Sequence, residues 1–369
     1  MKRVLLLIKG LGRGGAEQLL ASSAPYWDRR RYEYEIAFLL PWKDAFVSHF
    51  ERLSIPAHCL NGGRGLGWAK RLRRLVRQGK FDIVHIHSPY PAVIGRTILG
   101  SHRGPPRIVY TEHNLWERYH RVTYWGNALT FPRNAHVFAV SDHVKDSIKY
   151  PFPLGKRRVP PIETLYHGID FATMDSWGEA DGVREELQVA SDAPLVGSIS
   201  NLKKGKGHEY LLQSALLVRE RVPGVRFVLV GTGPLEREIR NMASTMGLDG
   251  TVIFTGFRDD ATRLAKAFDV FALPSVHEGL SIALIEAMAT GRACVCTDVG
   301  GIPEVVEDGK HAILVPARDP GRMAEAIVAV LEDGALRERL STAAVDRAAA
   351  FGIERAVRRQ EELYKELVR

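Results

Sequence analysis

Runs of almost unbroken apolar residues alternate with helix-patterned stretches along the whole chain, and few folds accept that rhythm. In the first half the runs are RVLLLI, YEIAFLL, FDIVHIH, RIVYTEH and HVFAVS, separated by helical patterns such as GAEQLLASSAPYW and YPAVIGRTILGS. Strands apolar on both faces belong in parallel sheets with helices packed above and below. The second half repeats the logic with APLVGSIS, VRFVLVG, VIFTG, VFALPS, ACVCTD and AILVP. The 369 residues suffice for two such domains. The fold class is therefore α/β, with two doubly wound, Rossmann-like domains.

Between the halves lies a Pro-rich, basic stretch, Pro151 to Pro161, followed by TLYHGID and a polar segment. This places a boundary near Ile169 to Asp175, giving a basic N-terminal domain over 1–170 and a C-terminal domain over 171–350. Residues 351–369 read as an amphipathic terminal helix.

Charge divides the halves. Residues 1–170 carry 27 Lys+Arg and 13 Asp+Glu, or +14, against 24 and 30 in the remainder, or −6. Such asymmetry points to a polyanionic surface as partner of the first half. In WAKRLRRLVRQGK, Trp68, Leu72, Leu75 and Val76 share a helical face, with Lys70, Arg71, Arg73, Arg74 and Arg77 around it. That pattern suits an anionic membrane surface, and equally a surface helix packed on a sheet. No nucleic-acid-binding motif is present, so nucleic acid is not an expected partner. Three cysteines, Cys59, Cys294 and Cys296, make no paired framework or zinc spacing, which fits a reducing compartment. The opening MKRVLLLIKG is too short in its apolar run for a signal peptide, and no stretch reaches the length of a membrane span. A cytoplasmic protein is expected, peripheral on the inner face of the plasma membrane if the basic half meets lipid.

The segment PSVHEGLSIALIEAMATGRACVCTDVGG, Pro274 to Gly301, carries the most chemistry. It places Glu278 and Glu286 in a Glu-x7-Glu spacing around Gly279, Leu280 and Ser281. Glu286 is the only charge in SIALIEAMA, and a lone carboxylate on a buried helix is costly unless something binds it. A pair of sugar hydroxyls is a natural partner, because a carboxylate accepts two hydrogen bonds side by side. Ser281 can cap the helix, whose free N–H groups suit a phosphate. Lys206 in SNLKKGKGHEYLL stands between a strand and a helix start, where a cation makes a diphosphate site. Gly10, Gly12 and Gly15 fit a dinucleotide fingerprint, but the second strand ends in Pro41-Trp42-Lys43 with no acidic residue, which disfavours a dehydrogenase. His85, His87 and His113 invite a metal reading, yet no carboxylate or Cys falls at ligand spacing, so no metal is expected.

The order strand, two-Glu element, helix, strand, then Gly300-Gly301-Ile302-Pro303-Glu304 resembles the signature of the retaining glycosyltransferases of family 4, over nearly the whole chain. The resemblance implies a GT-B architecture, two Rossmann-like domains facing across a cleft, with the terminal helix packing back toward the first. It implies a hexosyltransferase-type enzyme that moves sugar from a UDP- or GDP-sugar to a glycan or lipid-linked acceptor in envelope polysaccharide or glycolipid synthesis. It also implies retention of configuration and no cofactor or metal. Gly14 and Gly15, in the form GGAE, resemble the loop that closes over the donor. Lys206 matches the family's diphosphate Lys, while Asn201 stands where an Arg is usual. Gly231 and Gly233 match a nucleotide-proximal turn, and Gly256 with Phe257 the loop that frames the base. His113 matches a histidine near the reacting sugar, and His87 a less specific position. Glu278 is a catalytic candidate with His113 and Lys206. Trp116 and Tyr119 are candidates for stacking on an acceptor sugar. Ser141 and Gly168-Ile169-Asp170 are landmarks expected to be structural. Rival readings are an epimerase or phosphorylase on the same architecture, and a non-enzymatic polyanion- or membrane-binding protein.

Overall fold

The computed structural model describes residues 1–61, 65, 67–100, 106–149 and 159–369. Residues 151–158 of the Pro-rich stretch and Ser101 of the helical pattern before it lie outside the described residues. The chain forms two compact units, Met1–Gly168 with Ile353–Arg369, and Ile169–Gly352.

The first unit holds seven parallel strands: β1 Lys2–Ile8, β2 Tyr32–Phe38, β3 Ala57–Cys59, β4 Ile83–Ile86, β5 Arg107–Glu112, β6 His136–Ala139 and β7 Ile162–Thr164. Their order is β3-β2-β1-β4-β5-β6-β7, so the winding reverses between β1 and β4. Alternate residues of β1 enter different cores. Val4, Leu6 and Ile8 face one layer, and Leu5 and Leu7 the other. That two-sided burial is why the strand reads as an unbroken apolar run. The two strands without an apolar run in the sequence, β3 and β7, are the three-residue edges of the sheet.

The terminal helix Ile353–Leu367 belongs to this first unit. Its Ile353, Ala356, Val357, Leu363 and Tyr364 lie in the core of the layer that also holds Leu20 and Trp27. Glu361 accepts from Tyr34 at 2.6 Å, and Arg359 forms a forked pair with Glu163 at 2.7 and 2.8 Å. The opposite layer is made by the helices Gly67–Gly79, Pro89–Leu99 and Arg121–Thr130. In the first of these, Trp68, Leu72 and Val76 are buried against the sheet, so the apolar stripe seen in the sequence is spent on packing.

The second unit holds six parallel strands: β8 Leu195–Ile199, β9 Arg226–Val230, β10 Val252–Gly256, β11 Val270–Leu273, β12 Ala293–Thr297 and β13 Ile313–Val315. Their order is β10-β9-β8-β11-β12-β13, with the reversal between β8 and β11. Cys294 and Cys296 are both fully buried in β12. Ile169 bridges to Gly352, and Asp170 caps the helix Phe171–Ser176 through Thr173 N at 3.0 Å, so the boundary landmark is structural. Ser141 is likewise a cap, accepting from Val144 N at 3.2 Å.

Candidate active site

In an open parallel sheet the loops at the winding reversal leave a crevice at the carboxyl ends of the strands, where ligands bind. In the second unit those are the loops after β8 and β11. They are tied together: Val276 N and His277 N both donate to Gly205 O, at 2.9 and 3.2 Å. The tie brings Lys206 to Glu278, Nζ to Oε1 at 2.5 Å, and Ser275 Oγ donates to the same oxygen at 2.7 Å. Glu278 is 7% exposed, so its charge is desolvated and held by these two partners. Ser281 caps the helix Ile282–Ala289, its Oγ accepting from Leu284 N at 3.3 Å. Gly279 and Leu280 lie half-buried between Glu278 and this cap.

Glu286 sits on the same helix, half-buried. Among the described residues its carboxylate has no hydrogen-bond or ion-pair partner. Desolvation pushes its pKa up to about 7. An unpaired carboxylate reachable by solvent beside a capped helix start is a ready acceptor for hydroxyl donors.

The remaining donor-side candidates border the same loops. Asn201 is half-buried in the turn after β8, and Leu202 N donates to Thr232 O at 3.0 Å. A Cβ at Gly231, whose φ is +136°, would lie 2.1 Å from Ser200 O, and one at Gly233 would lie 2.2 Å from Leu202 O. These two glycines are thus demanded by the fold's own loop packing, whatever the turn binds. Gly231 N donates to Gly256 O at 2.8 Å, tying in the loop that carries half-buried Phe257.

The first unit presents its own pair of loops at the reversal, after β1 and β4. Gly14 precedes and Gly15 begins the helix Gly15–Ser23. A Cβ at Gly15 would meet nothing within 4 Å, so packing does not require glycine there. At the ends of β4 and β5, four histidines gather. His85 and His87 rings are 4.3 Å apart, His87 Nδ1 lies 3.4 Å from His113 Nε2, and His113 stacks on His167 with centroids 5.5 Å apart and planes at 14°. His85 is bonded on both nitrogens, to Tyr364 Oη at 2.5 Å and Thr111 Oγ1 at 2.7 Å. Burial lowers all four pKa values, His85 to about 3 and His113 to about 4, so the cluster is neutral at physiological pH. Among the described residues no group of three or more His, Cys, Asp or Glu is arranged to hold a metal ion.

The expected stacking surface is corrected by burial. Trp116 is 1% exposed and packs edge-on to Phe131, its indole N–H donating to Glu112 Oε2 at 2.9 Å. Tyr119 donates its hydroxyl to the same carboxylate. Both support fully buried Glu112, whose burial pushes its pKa up; Trp116 offers no face to a sugar. His167 and Tyr364 were given no role in the sequence reading. They come from TLYHGID and the terminal helix, and only the fold brings them to β4 and β5.

The family profile described as "Glycosyl transferases group 1" matches residues 193–333, and the one described as "Glycosyltransferase Family 4" matches 13–173. The chain is 26% identical over 325 residues to the alpha-D-kanosaminyltransferase of Streptomyces kanamyceticus, covering 81% of each. It is 26% identical to the UDP-Gal:alpha-D-GlcNAc-diphosphoundecaprenol alpha-1,3-galactosyltransferase of Escherichia coli, covering 80% of this chain and 78% of the relative. Among solved structures, Anabaena HepE in complex with UDP-glucose aligns with a TM-score of 0.85 at 23% identity, over 99% of this chain and 100% of that one. This structural neighbour has the GT-B fold, and the likeness shows that fold for this chain.

Proposed function

The chain belongs to the group 1, family 4 type of glycosyltransferases, and from that premise we propose that it moves a hexose from a nucleoside-diphosphate sugar to a glycan or lipid-linked acceptor, with retention of configuration. The observation that carries the donor side is the β8/β11 crevice, where half-buried Lys206 is paired with buried Glu278 and the helix that follows carries the unpartnered Glu286 carboxylate. Glu286 would accept the two ribose hydroxyls. Lys206, the capped helix start and the adjacent backbone would meet the diphosphate, and Glu278 with Gly279 to Ser281 the donor sugar. By the family resemblance Gly14, Gly15 and His113, the last contacted by His87 and His167, are the candidates of the first unit for donor contact. Tyr119 and His87 remain acceptor-side candidates only through their contacts with Glu112 and His113.

The bond between the sugar's anomeric carbon and the diphosphate oxygen breaks as the acceptor oxygen bonds to that carbon on the same face. The acceptor's proton passes to the leaving diphosphate, whose charge Lys206 offsets where it develops. Glu278 is already bonded to Lys206 and Ser275, which suits an orienting group better than a free nucleophile. With Lys206 in this role, turnover without added divalent metal is expected. A relative whose name specifies UDP-galactose, and a structural neighbour holding UDP-glucose, support a uridine donor as the first to test. The test is calorimetric titration of UDP, GDP and ADP into the protein and its Glu286→Ala variant. One nucleotide binding the parent and at least about ten-fold more weakly the variant supports the reading; equal affinity overturns the ribose role.

A further inference from the structure

The helix Arg121–Thr130 turns an apolar stripe outward. Val122 is 76% exposed, Trp125 40% and Leu129 54%, and their spacing of three and four residues puts them on one face. The opposite face is fixed. Ala128 lies in the core, and buried Arg96 donates to Asn127 Oδ1 at 2.6 Å and to Asn134 Oδ1 at 2.8 Å while lying 4.4 Å over the Tyr110 ring. The helix therefore cannot roll to hide the stripe. Scattered exposed apolar residues need no explanation, but an aligned set on a moored helix marks an interaction surface.

The partner's chemistry follows from what flanks the stripe. Gly67–Gly79, Pro89–Leu99 and Arg121–Thr130 lie side by side in one layer. The outer face of the first presents Lys70, Arg73, Arg74 and Arg77, all exposed and without ion-pair partners among the described residues. Arg118, His120 and Arg121 are exposed at the start of the apolar helix, against a single exposed acid, Glu117, on that turn. Tyr90 of the middle helix, 43% exposed, packs near Trp68 between the two zones. An apolar stripe rimmed by unpaired cations is complementary to anionic headgroups over acyl chains. A second copy would set two cationic faces against each other, and a nucleic acid would leave Val122 and Leu129 unused.

We propose that this layer seats the protein on an anionic lipid surface, with Val122, Trp125 and Leu129 entering the interface and the cations of Gly67–Gly79 meeting headgroups. The amphipathic segment that stands out in the sequence supplies charge alone, because its apolar side is packed; the inserting side chains come from another helix. The inference rests on the transferase reading and narrows it. The helix starts eight residues after His113, so an acceptor tethered to lipid would arrive beside the carboxyl edge of the first sheet.

The experiment is co-sedimentation with vesicles of phosphatidylcholine alone and of phosphatidylcholine mixed with phosphatidylglycerol. The parent chain should sediment only with the mixed vesicles. Trp125→Ser with Leu129→Ser should weaken that binding about ten-fold or more, and Arg73→Glu with Arg74→Glu should do so in a salt-dependent way. Both variants should keep the parent's melting temperature and its nucleotide-induced shift. Undiminished vesicle binding by the Trp125/Leu129 variant overturns the proposal. So does a dimer in the parent that this variant splits, with vesicle binding unchanged. If the parent binds vesicles but no nucleotide, the transferase reading fails while the lipid surface stands.

Discussion

Glu286 is destabilised by its own charge in the free protein. Its folded pKa, about 7, lies above the unfolded carboxylate value, so its contribution to stability is greatest at low pH and is lost as pH rises through 7. Ribose hydroxyls donate to the ionised form. Nucleotide affinity should therefore rise between pH 6 and pH 8, and Glu286→Gln should flatten that rise in calorimetric titrations. Lys206 calls for a different experiment, because it also neutralises buried Glu278. Lys206→Met should cost about 3 kcal/mol in denaturant unfolding together with most of the turnover. Adding Glu278→Gln should restore much of the stability and none of the turnover; full recovery of both would leave the pair a merely structural one. Gly15→Ala separates fold from function most cleanly. Open space surrounds that position, so melting should hold steady while turnover falls. Sequence alone singled out Glu286 because charge is rare in an apolar run, and Glu278 through its spacing from Glu286. It misjudged Trp116, because the Glu112 that draws its indole inward is itself buried only by the folded sheet.

Among the elements, strands buried on both faces were legible because their residue types say so without help from neighbours. The edges β3 and β7 were not: three residues joined to one neighbouring strand need no apolar run. The helix Gly67–Gly79 shows the limit of periodicity, which reveals a stripe but not whether protein or lipid covers it. The histidine cluster at β4 and β5 has a measurable consequence. His85, His87, His113 and His167 are held neutral, with folded pKa values below the unfolded value of about 6.5. Their contribution is present above pH 6.5 and is lost as pH falls toward 4. Thermal melting should show the first unit losing stability over that window, and His85→Gln should make the loss shallower.

For the chain as a whole, the two units divide both charge and chemistry. The first carries the cationic layer and the histidines, the second the donor-side carboxylates and Lys206. Its own strands do not complete the first unit, since the terminal helix fills its core through Tyr364 and Leu363. Removing residues 353–369 should abolish cooperative unfolding of that unit while the second still melts. No helix among the described residues is long and apolar enough to cross a membrane. What composition and spacing never indicated is which base and which sugar the β8/β11 crevice selects, because loop backbone and shape decide that. The most direct measurement is release of UDP, GDP or ADP from a panel of sugar nucleotides with membrane extract as acceptor, beside Glu286→Ala. Release from one donor, dependent on extract and absent in the variant, is the expected result. Release that is equal in the variant would contradict the ribose role of Glu286, and silence across the panel with no nucleotide shifting the melting temperature would contradict a nucleotide-sugar transferase.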